Sequence, residues 1–301
     1  MKHKLAGTFL LSLALATIAA AAGRQLDPND PLDALTIARK VGCSTVDGVP
    51  ATFWWHGRAY SRRQGERDRL LFNVEGMNVR ACVADVHPER GRGYRQVSRE
   101  LLIYRDPATG EALSTWRNPW TEEVVEVLHV ANDPVNFAQY ELDRTGAPAR
   151  WSGMITEGKW RQNTTVPLFY PNPLASAYQE EIGGIYHATE MFNFLGDADE
   201  LLDADTETAG SHVGWVRVSD WLPWMKMAGR EGVIYMHTAG LRLSSWDAMP
   251  ETMKAEIAAH YPIYREPPPL DDERRNVTSW IYYQRVREGV EKAPDRQAAS
   301  D

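Results

Sequence analysis

The sequence predicts a mainly β domain of the α+β kind, an antiparallel β-barrel or strongly curved sheet with flanking N- and C-terminal helices. Three observations support this prediction. Between residues 51 and 243 the chain consists largely of short runs rich in Val, Ile, Thr, Tyr, Phe and Trp, the residue types that are enriched in strands. Turn signals separate the runs, among them Gly91-Arg92-Gly93 and Asn132-Asp133-Pro134. No helical pattern lies between them, which favours antiparallel pairing over a parallel sheet with crossover helices.

Each element can be placed approximately. The segments that have the length and composition of strands are 52–60, 70–74, 77–83, 98–104, 112–116, 123–130, 135–142, 152–156, 184–194, 212–219 and 233–243. A helix is predicted over 26–42, because Pro31 suits a first turn and Gly42 suits a helix end. A second helix is predicted over 246–259. Segment 279–286 fits either a helix or a last strand.

The start of the chain has the pattern of a secretory signal peptide. A basic start, Met1-Lys2-His3-Lys4, precedes an apolar stretch that ends in small residues at Ala22. Cleavage there predicts a periplasmic or secreted protein. An uncleaved anchor is the alternative, since the stretch is just long enough to span a bilayer. The predicted organisation is a signal peptide over 1–22, a single β-rich domain over 23–290 and a polar tail over 291–301.

The charge of the chain limits its partners. The formal net charge of the 301 residues is −8, and it becomes −10 when Lys2 and Lys4 leave with the signal peptide. An acidic chain without a Lys/Arg cluster weighs against nucleic acid and against anionic membrane surfaces as partners. We therefore expect a small-molecule partner, no nucleic acid and no membrane insertion after cleavage. The pattern leaves the oligomeric state open.

Two cysteines, Cys43 and Cys82, remain after cleavage. In an oxidising compartment they permit one disulfide, and two separate buried thiols are the alternative. Their spacing does not resemble a metal motif. The chain also lacks a Gly-x-Gly-x-x-Gly fingerprint, a Walker loop, a Gly-x-Ser-x-Gly elbow, a His-Glu-x-x-His motif and a calcium loop. We therefore expect no cofactor and no metal, and a mechanism that depends on side chains alone.

Glu190 is the first candidate for acid/base chemistry. Side chains two apart in a strand share a face, so Glu190 stands on one face with Tyr186 and Phe192. If this face points inward, burial raises the pKa of the Glu190 carboxyl, which suits a general acid or base. The simpler alternative is a structural glutamate that pairs with an arginine.

Tyr235 and His237 are the other two catalytic candidates. They share a face of segment 233–243, so a phenol and an imidazole could point into one cavity with Glu190. The alternative for a single histidine is a core residue whose nitrogens are satisfied by hydrogen bonds.

Substrate-binding candidates lie on neighbouring segments. On 212–219, Trp215 and Arg217 share a face, and an arginine beside a tryptophan can stack on the ring or bind a carboxylate. Arg80 and Glu100 could form a buried pair. The predicted binding set is Arg80, Asn78, Glu100, Tyr140, Trp215 and Arg217.

Several motifs in this order resemble one family. They are Glu75-Gly76-Met77-Asn78-Val79-Arg80, Ser98-Arg99-Glu100, Tyr104-Arg105-Asp106-Pro107-Ala108-Thr109-Gly110-Glu111, Trp116-Arg117-Asn118-Pro119-Trp120-Thr121, Asn132-Asp133-Pro134-Val135-Asn136, Trp221-Leu222-Pro223-Trp224-Met225 and Asn276-Val277-Thr278-Ser279-Trp280. The chain is similar to the family called domain of unknown function 1838. The resemblance implies an uncharacterised, largely bacterial, single-domain protein, and it supplies no catalytic residues.

The high aromatic content completes the functional prediction. The chain has 11 Trp and 12 Tyr residues; a core built from large flat side chains accounts for most of them, but several lie beside Pro in loops. We expect an exported protein that binds a small apolar or aromatic molecule and acts as a cofactor-independent lyase, isomerase or hydrolase. One alternative is a non-catalytic, lipocalin-like carrier of hydrophobic ligands, with polar groups only at the rim of its cavity. Another is an envelope-associated interaction protein.

Overall fold

The structure is a computed structural model that describes residues 23–171, 174, 178 and 184–294. Within these residues the protein is mainly β, all strand pairs are antiparallel, and helices lie at both ends, as the sequence predicts. The predicted signal peptide, 1–22, and residues 295–301 of the predicted tail lie outside the described residues.

The described chain contains twelve strands and four α-helices. The strands are β1 (Ala51–Arg62), β2 (Arg69–His87), β3 (Gly91–Arg105), β4 (Thr115–Arg117), β5 (Val124–Glu126), β6 (Val130–Asn132), β7 (Phe137–Tyr140), β8 (Met154–Thr156), β9 (Lys159–Pro171), β10 (Ile185–Asp197), β11 (His212–Ser219) and β12 (Val233–Arg242). The helices are α1 (Pro31–Gly42), α2 (Ala198–Leu202), α3 (Glu251–His260) and α4 (Ser279–Arg287).

Ten of these strands form one sheet. Its order is β6-β3-β2-β1-β12-β11-β10-β9-β8, and β7 pairs with β3 next to β6. Strands β1 to β3 form one meander and β8 to β12 form another, and the pairing of β1 with β12 joins them. Strands β4 and β5 form a separate hairpin.

The sheet is open, so the predicted barrel or strongly curved sheet is wrong. In the described chain no ladder joins β6 to β8, and the sheet is not strongly curled. The reason lies between β3 and β8, where β6 and β7 have only three and four residues. Closure of a barrel needs a continuous hydrogen-bonded ladder, which strands of this length do not provide.

The two faces of the sheet have different coverings. We call the face that carries Phe53 and Trp55 the inner face and the opposite one the outer face. The inner face is covered by the β4–β5 hairpin, by the segment 221–227 and by Trp280 and Tyr283 of α4. On the outer face, α3 and the segment that follows it cover β2 and β3 through Met77, Val79, Leu101 and Ile103, and they reach Trp54 of β1 and Leu241 of β12. Elsewhere on the outer face of β10 to β12 the described residues form no such layer, and His237, Ala239 and Val218 are exposed there.

A disulfide attaches helix α1 to the inner face of β2, in the C-terminal half of the strand. Cys43, directly after the helix, bonds to Cys82 of β2, with a Cα–Cα distance of 5.9 Å. The structure thereby decides between the two alternatives that the cysteine count allowed. The helix begins at Pro31, later than predicted, because the Asp30 side chain accepts hydrogen bonds from the N–H groups of the first turn.

Three element boundaries differ from the sequence prediction for identifiable reasons. The predicted strands 70–74 and 77–83 are one continuous strand of 19 residues, because Glu75-Gly76 lies within it and makes no turn. The predicted helix over 246–259 begins at Glu251, directly after Pro250. The ambiguous segment 279–286 is helix α4, which Thr278 caps through the Ile281 N–H.

One long strand, β9, was absent from the sequence prediction. Its residues Arg161, Gln162 and Asn163 are polar, and Pro167 lies within it. Proline is tolerated near the edge of a sheet, and only the short β8 lies beyond β9. Strand propensity alone therefore could not identify this segment.

Candidate functional site

The register of the strands gathers most of the predicted site residues on the inner face. Asn78 of β2 lies opposite Glu100 of β3, and Glu190 of β10 lies opposite Arg217 of β11. Strands β2, β1, β12 and β11 separate β3 from β10, yet the charge of Glu190 acts on Glu100. The two pairs therefore influence each other electrostatically across the inner face. We call Asn78, Arg80, Glu100, Asn132, Tyr186, Glu190 and Arg217 the inner cluster.

Arg217 is paired on both sides. Its Nη1 donates to Glu190 Oε1 at 3.1 Å, and its Nη2 donates to the Tyr186 hydroxyl. Burial disfavours the charged guanidinium, but Tyr186 and Glu190 outweigh this effect and hold the pKa of Arg217 above its ordinary value. Glu190 thus has the role that the simpler alternative gave it, that of a partner to an arginine.

The carboxyl group of Glu100 is perturbed by its surroundings. Burial raises its pKa above the ordinary value, and the negative charge of Glu190 raises it further. A hydrogen bond from Asn132 Nδ2, at 3.4 Å, and the positive charges of Arg217 and Arg80 oppose this shift without cancelling it. The raised pKa that was expected for an acid/base residue on this face therefore belongs to Glu100.

Arg80 is held by neutral groups. Its Nε donates to Asn78 Oδ1 at 2.6 Å and its Nη1 donates to Gln96 Oε1 at 3.5 Å, while its guanidinium lies 4.5 Å from the centre of the Phe53 ring. No ion pair within 4.0 Å joins Arg80 to Glu100, so the predicted buried pair is not formed. The reason is the register, which places Asn78 opposite Glu100 and leaves Arg80 diagonal to it.

Aromatic rings surround the cluster. Tyr104 and Phe72 contact each other and Trp224, with ring centres 5.4 to 5.7 Å apart. Trp215 is buried two residues from Arg217 and lies edge-on to Trp55, 6.4 Å between ring centres. The Trp55 ring occupies the space that a side chain at position 76 would need, because a Cβ there would lie 2.4 Å from it. Burial also raises the pKa of the Tyr104 hydroxyl.

The cluster is reachable from solvent on the β9 side. The side chains of Arg217 and Glu190 keep 16% and 22% of their surface exposed. Beside them on the inner face, Phe192 is half-buried and Val166 is exposed. These two side chains form an apolar patch beside the Arg217–Glu190 pair. A site that is accessible and still desolvated enough to shift a pKa has the character of a binding recess.

Tyr235 and His237 do not join this cluster. They share a face, as predicted, but it is the outer face, where His237 is exposed and the Tyr235 hydroxyl donates to Asp68 Oδ2 at 2.9 Å. His237 lines a separate outer groove of about 710 Å³, together with His56 and Arg58. The predicted convergence of phenol and imidazole with Glu190 is wrong, because alternation fixes which residues share a face and does not say which face is covered.

Tyr140 also lies elsewhere. It lies on β7 opposite Gly93, near the end of β3 that the hairpin turn joins to β2. Its hydroxyl donates to Asp85 Oδ2 at 2.6 Å. The Arg90 guanidinium lies 4.2 Å from the centre of its ring. These contacts give Tyr140 a structural role at the end of the hairpin, away from the inner cluster.

Two members of the cluster were missed by sequence reasoning. Asn132 was interpreted as a turn residue, but it ends β6 opposite Glu100, it is 7% exposed, and its Oδ1 has no hydrogen-bond partner within the described chain. Tyr186 was placed correctly on the face of Glu190 and was not selected. Its spacing of four residues from Glu190, with both side chains on one face, was the signal that could have identified it.

The described residues contain no group of three or more His, Cys, Asp or Glu side chains placed to hold a metal ion. None of the helices within 23–171 and 184–294 combines the length and the apolar character that crossing a bilayer requires.

The family assignment can now be made. A model of the family "Protein of unknown function (DUF1838)" matches residues 48–287, from just before β1 to the end of α4. The chain belongs to this family. The resemblance indicated by the sequence motifs is confirmed, and the matched range includes every residue of the inner cluster. The matched range also contains the outer groove and Tyr140. The family match therefore does not indicate which of these regions is the functional site.

Other comparisons add little to the DUF1838 assignment. No curated protein has a matching sequence. A solved structure, the crystal structure of Ail, the attachment invasion locus protein of Yersinia pestis, aligns at 7% identity over 66% of this chain and 100% of Ail, with a TM-score of 0.15.

Proposed function

We propose that this DUF1838 protein is an exported, cofactor-independent enzyme that binds a small apolar or aromatic molecule and transfers a proton within it. The reaction is of the lyase, isomerase or hydrolase class. One observation carries the proposal: the Glu100 carboxyl, with a raised pKa, stands beside the Arg217–Glu190 pair on a face walled by aromatic rings.

Glu100 is the proton-transferring group of this proposal. A carboxyl whose pKa is raised holds its proton more tightly than an ordinary glutamate, which suits a general acid or base. The nearby Asn132 amide orients it through one hydrogen bond. This assignment moves the acid/base role from Glu190, where the sequence analysis placed it, to Glu100.

Arg217 stabilises negative charge that develops on the substrate. Its Nε is buried and has no hydrogen-bond partner within the described chain, while its two terminal nitrogens are held by Glu190 and Tyr186. A donor fixed in this way can stabilise an oxyanion without reorganisation. Glu190 is then a positioning residue that keeps Arg217 charged and in place.

Two features support the exported location. The apolar stretch that follows the basic start has the pattern of a signal peptide. The Cys43–Cys82 disulfide fits an oxidising compartment such as the periplasm, since disulfides are rare in the reducing cytosol.

A carrier of hydrophobic ligands is the competing function. It predicts polar groups only at the rim of the cavity, whereas the inner cluster places two carboxyl groups and two guanidinium groups among buried aromatic rings. Buried charges cost free energy unless they are paired, or unless they take part in binding or catalysis. Binding of an apolar ligand does not require them.

The test is turnover of the molecule that the protein retains. Mature protein is purified gently from its own compartment, and native mass spectrometry identifies the bound compound. The compound is then incubated with wild type, with Glu100→Gln and, as an outer-face control, with His237→Ala, and its conversion is followed by mass spectrometry. We expect conversion by wild type and His237→Ala at similar rates, and a loss of at least about a hundredfold in Glu100→Gln.

Two results would overturn the proposal. Retention of the compound without conversion by any of the three proteins identifies a carrier. Conversion that depends on His237 and not on Glu100 moves the active site to the outer groove.

A further inference from the structure

The charge balance of the inner face specifies the substrate more closely, and this inference rests on the proposed function. Five ionisable groups lie on the inner face of β12, β2, β3, β11 and β10, namely the guanidinium groups of Arg242, Arg80 and Arg217 and the carboxyl groups of Glu100 and Glu190. Two of the arginines have partners that account for their positions, and the third does not.

Arg217 and Arg242 are accounted for by the fold. Arg217 is neutralised by Glu190, at 3.1 Å. The Nη1 of Arg242 donates to the carbonyl oxygens of Lys40 and Cys43 at 2.9 and 2.6 Å. These carbonyls lie at the C-terminal end of α1, where the partial negative charge of a helix attracts a cation. Both arginines therefore serve the structure whether or not a ligand is bound.

Arg80 forms no direct ion pair within 4.0 Å in the described chain. Its hydrogen bonds go to the neutral amides of Asn78 and Gln96, and its Nη2 makes none within the described chain. The charge of Glu100 acts to raise the pKa of Arg80 without forming an ion pair with it, and burial favours the neutral form of Glu100. A half-buried guanidinium without a directly paired carboxylate is costly, and the carboxylate of a ligand would supply that partner.

The pKa of Arg80 agrees with this view. Burial lowers it to about 10, and repulsion by Arg242 contributes. At neutral pH the group is still charged, because this value lies well above 7. A lowered pKa also means that an anion bound here recovers free energy that the fold has lost, which strengthens its binding.

We propose that Arg80 binds the carboxylate of a small apolar or aromatic substrate. The Phe53 ring supports one face of the guanidinium, Nε and Nη1 are held by Asn78 and Gln96, and Nη2 is left to donate to a carboxylate oxygen. Glu100, the proton-transferring group of the proposed function, lies diagonal to Arg80 on the neighbouring strand. The substrate class is thus a small aromatic or apolar monocarboxylic acid.

A matched pair of probes tests this inference. The probes are 2-naphthoate and its neutral counterpart 2-naphthamide, and their affinities are measured by isothermal titration calorimetry for wild type, Arg80→Met and Arg58→Met. Arg58 is exposed on the outer face and forms no ion pair within 4.0 Å, so Arg58→Met controls for the loss of one positive charge. We expect wild type and Arg58→Met to prefer 2-naphthoate by about tenfold to a hundredfold, and Arg80→Met to bind both probes about equally.

The possible results separate this inference from the proposed function. Equal affinity of wild type for both probes, or a preference that persists in Arg80→Met, overturns the role of Arg80 and leaves the apolar recess in place. Absence of binding of either probe to wild type overturns the recess and the inference together. Arg80→Lys guards against misfolding of Arg80→Met, since it keeps the charge and should keep a reduced preference for 2-naphthoate.

Discussion

The inner and outer faces of this sheet each carry an arginine, a carboxylate and a tyrosine in contact. On the inner face Arg217 pairs with Glu190 at 3.1 Å and donates to the Tyr186 hydroxyl. At the outer-face end of β1, Arg62 pairs with Asp68 at 2.7 Å, and Asp68 accepts from the Tyr235 hydroxyl at 2.9 Å. The three chemical groups are the same, and the layer that covers them differs.

The covering layer decides what each trio can do. Arg62 keeps 66% of its side-chain surface exposed, against 16% for Arg217. Water screens the outer pair, so its charges contribute little to stability and exert little influence on neighbours. The inner pair is desolvated, and its charges act on Glu100 across several strands. We therefore expect the functional site on the inner face, where protein rather than water surrounds the arginine, the carboxylate and the tyrosine.

The largest expected effect is the loss of the inner arginine. Arg217→Met leaves Glu190 and Glu100 close together without their common cation, and we expect a loss of about 3 to 5 kcal/mol of unfolding free energy at neutral pH. Arg62→Met should leave stability nearly unchanged. Urea denaturation of the two variants beside wild type measures the difference. Similar small losses in both would mean that the two trios are equally solvated, which would remove the basis of the comparison.

The disulfide offers the next largest effect, because it attaches helix α1 to β2. Cys43 and Cys82 are 39 residues apart, and a loop of this length restricts the unfolded chain by about 4 kcal/mol in the chain-entropy description. Cys43→Ala/Cys82→Ala should lose stability of this order. Wild type denatured under a thiol reductant is the control, and it should agree with the double variant. A loss in the variant without a loss on reduction would point to side-chain packing as the cause.

A smaller effect, with a defined pH dependence, is expected at Glu100. Its pKa is raised in the folded protein, so the folded state holds the proton more tightly than the unfolded chain. The stability that this proton contributes is complete below about pH 4.5 and is lost as the pH rises through the folded-state pKa. Glu100→Gln should therefore match wild type in acid and exceed it in stability near neutral pH.

Glu141 provides the control of opposite sign. Hydrogen bonds from the backbone and side chain of Arg92 lower the pKa of Glu141, so its contribution is present at neutral pH and is lost as the pH falls. Denaturation of Glu100→Gln, Glu141→Gln and wild type between about pH 4 and about pH 8 should show the two slopes. A Glu100→Gln variant that is less stable than wild type at neutral pH would contradict the raised pKa.

The fold was predictable where local signals agreed. Alternation in β2, β3, β10, β11 and β12 predicted the correct neighbours on each face, such as Arg217 with Trp215 and Glu190 with Tyr186. Alternation carries no information about closure, so the open edge at β6 and the length of β9 were not accessible to it. Those features depend on pairing between segments that are far apart in the chain.

The site was predictable in part for the same reason. Alternation assigned Asn78, Arg80 and Glu100 to the faces where they are found, but it could not rank Glu100 above Glu190, because the raised pKa depends on partners on four other strands. Nor could it place Tyr235 and His237, since the layer that covers the inner face comes from distant segments such as 221–227 and α4. Which face is covered is a tertiary property.

The smallest expected effect compares the two tyrosines directly. Tyr235→Phe removes one hydrogen bond to Asp68 at the surface, and water can replace it, so we expect a loss of about 1 kcal/mol or less and no change in 2-naphthoate affinity. Tyr186→Phe removes the acceptor for Arg217 Nη2 where water is scarce, so we expect a loss of about 1 to 3 kcal/mol together with weaker 2-naphthoate binding. Urea denaturation and calorimetric titration of the same two proteins give both readouts. If Tyr235→Phe weakened 2-naphthoate binding as much as Tyr186→Phe, the ligand would have to contact the outer face, and the assignment of function to the covered face would fail.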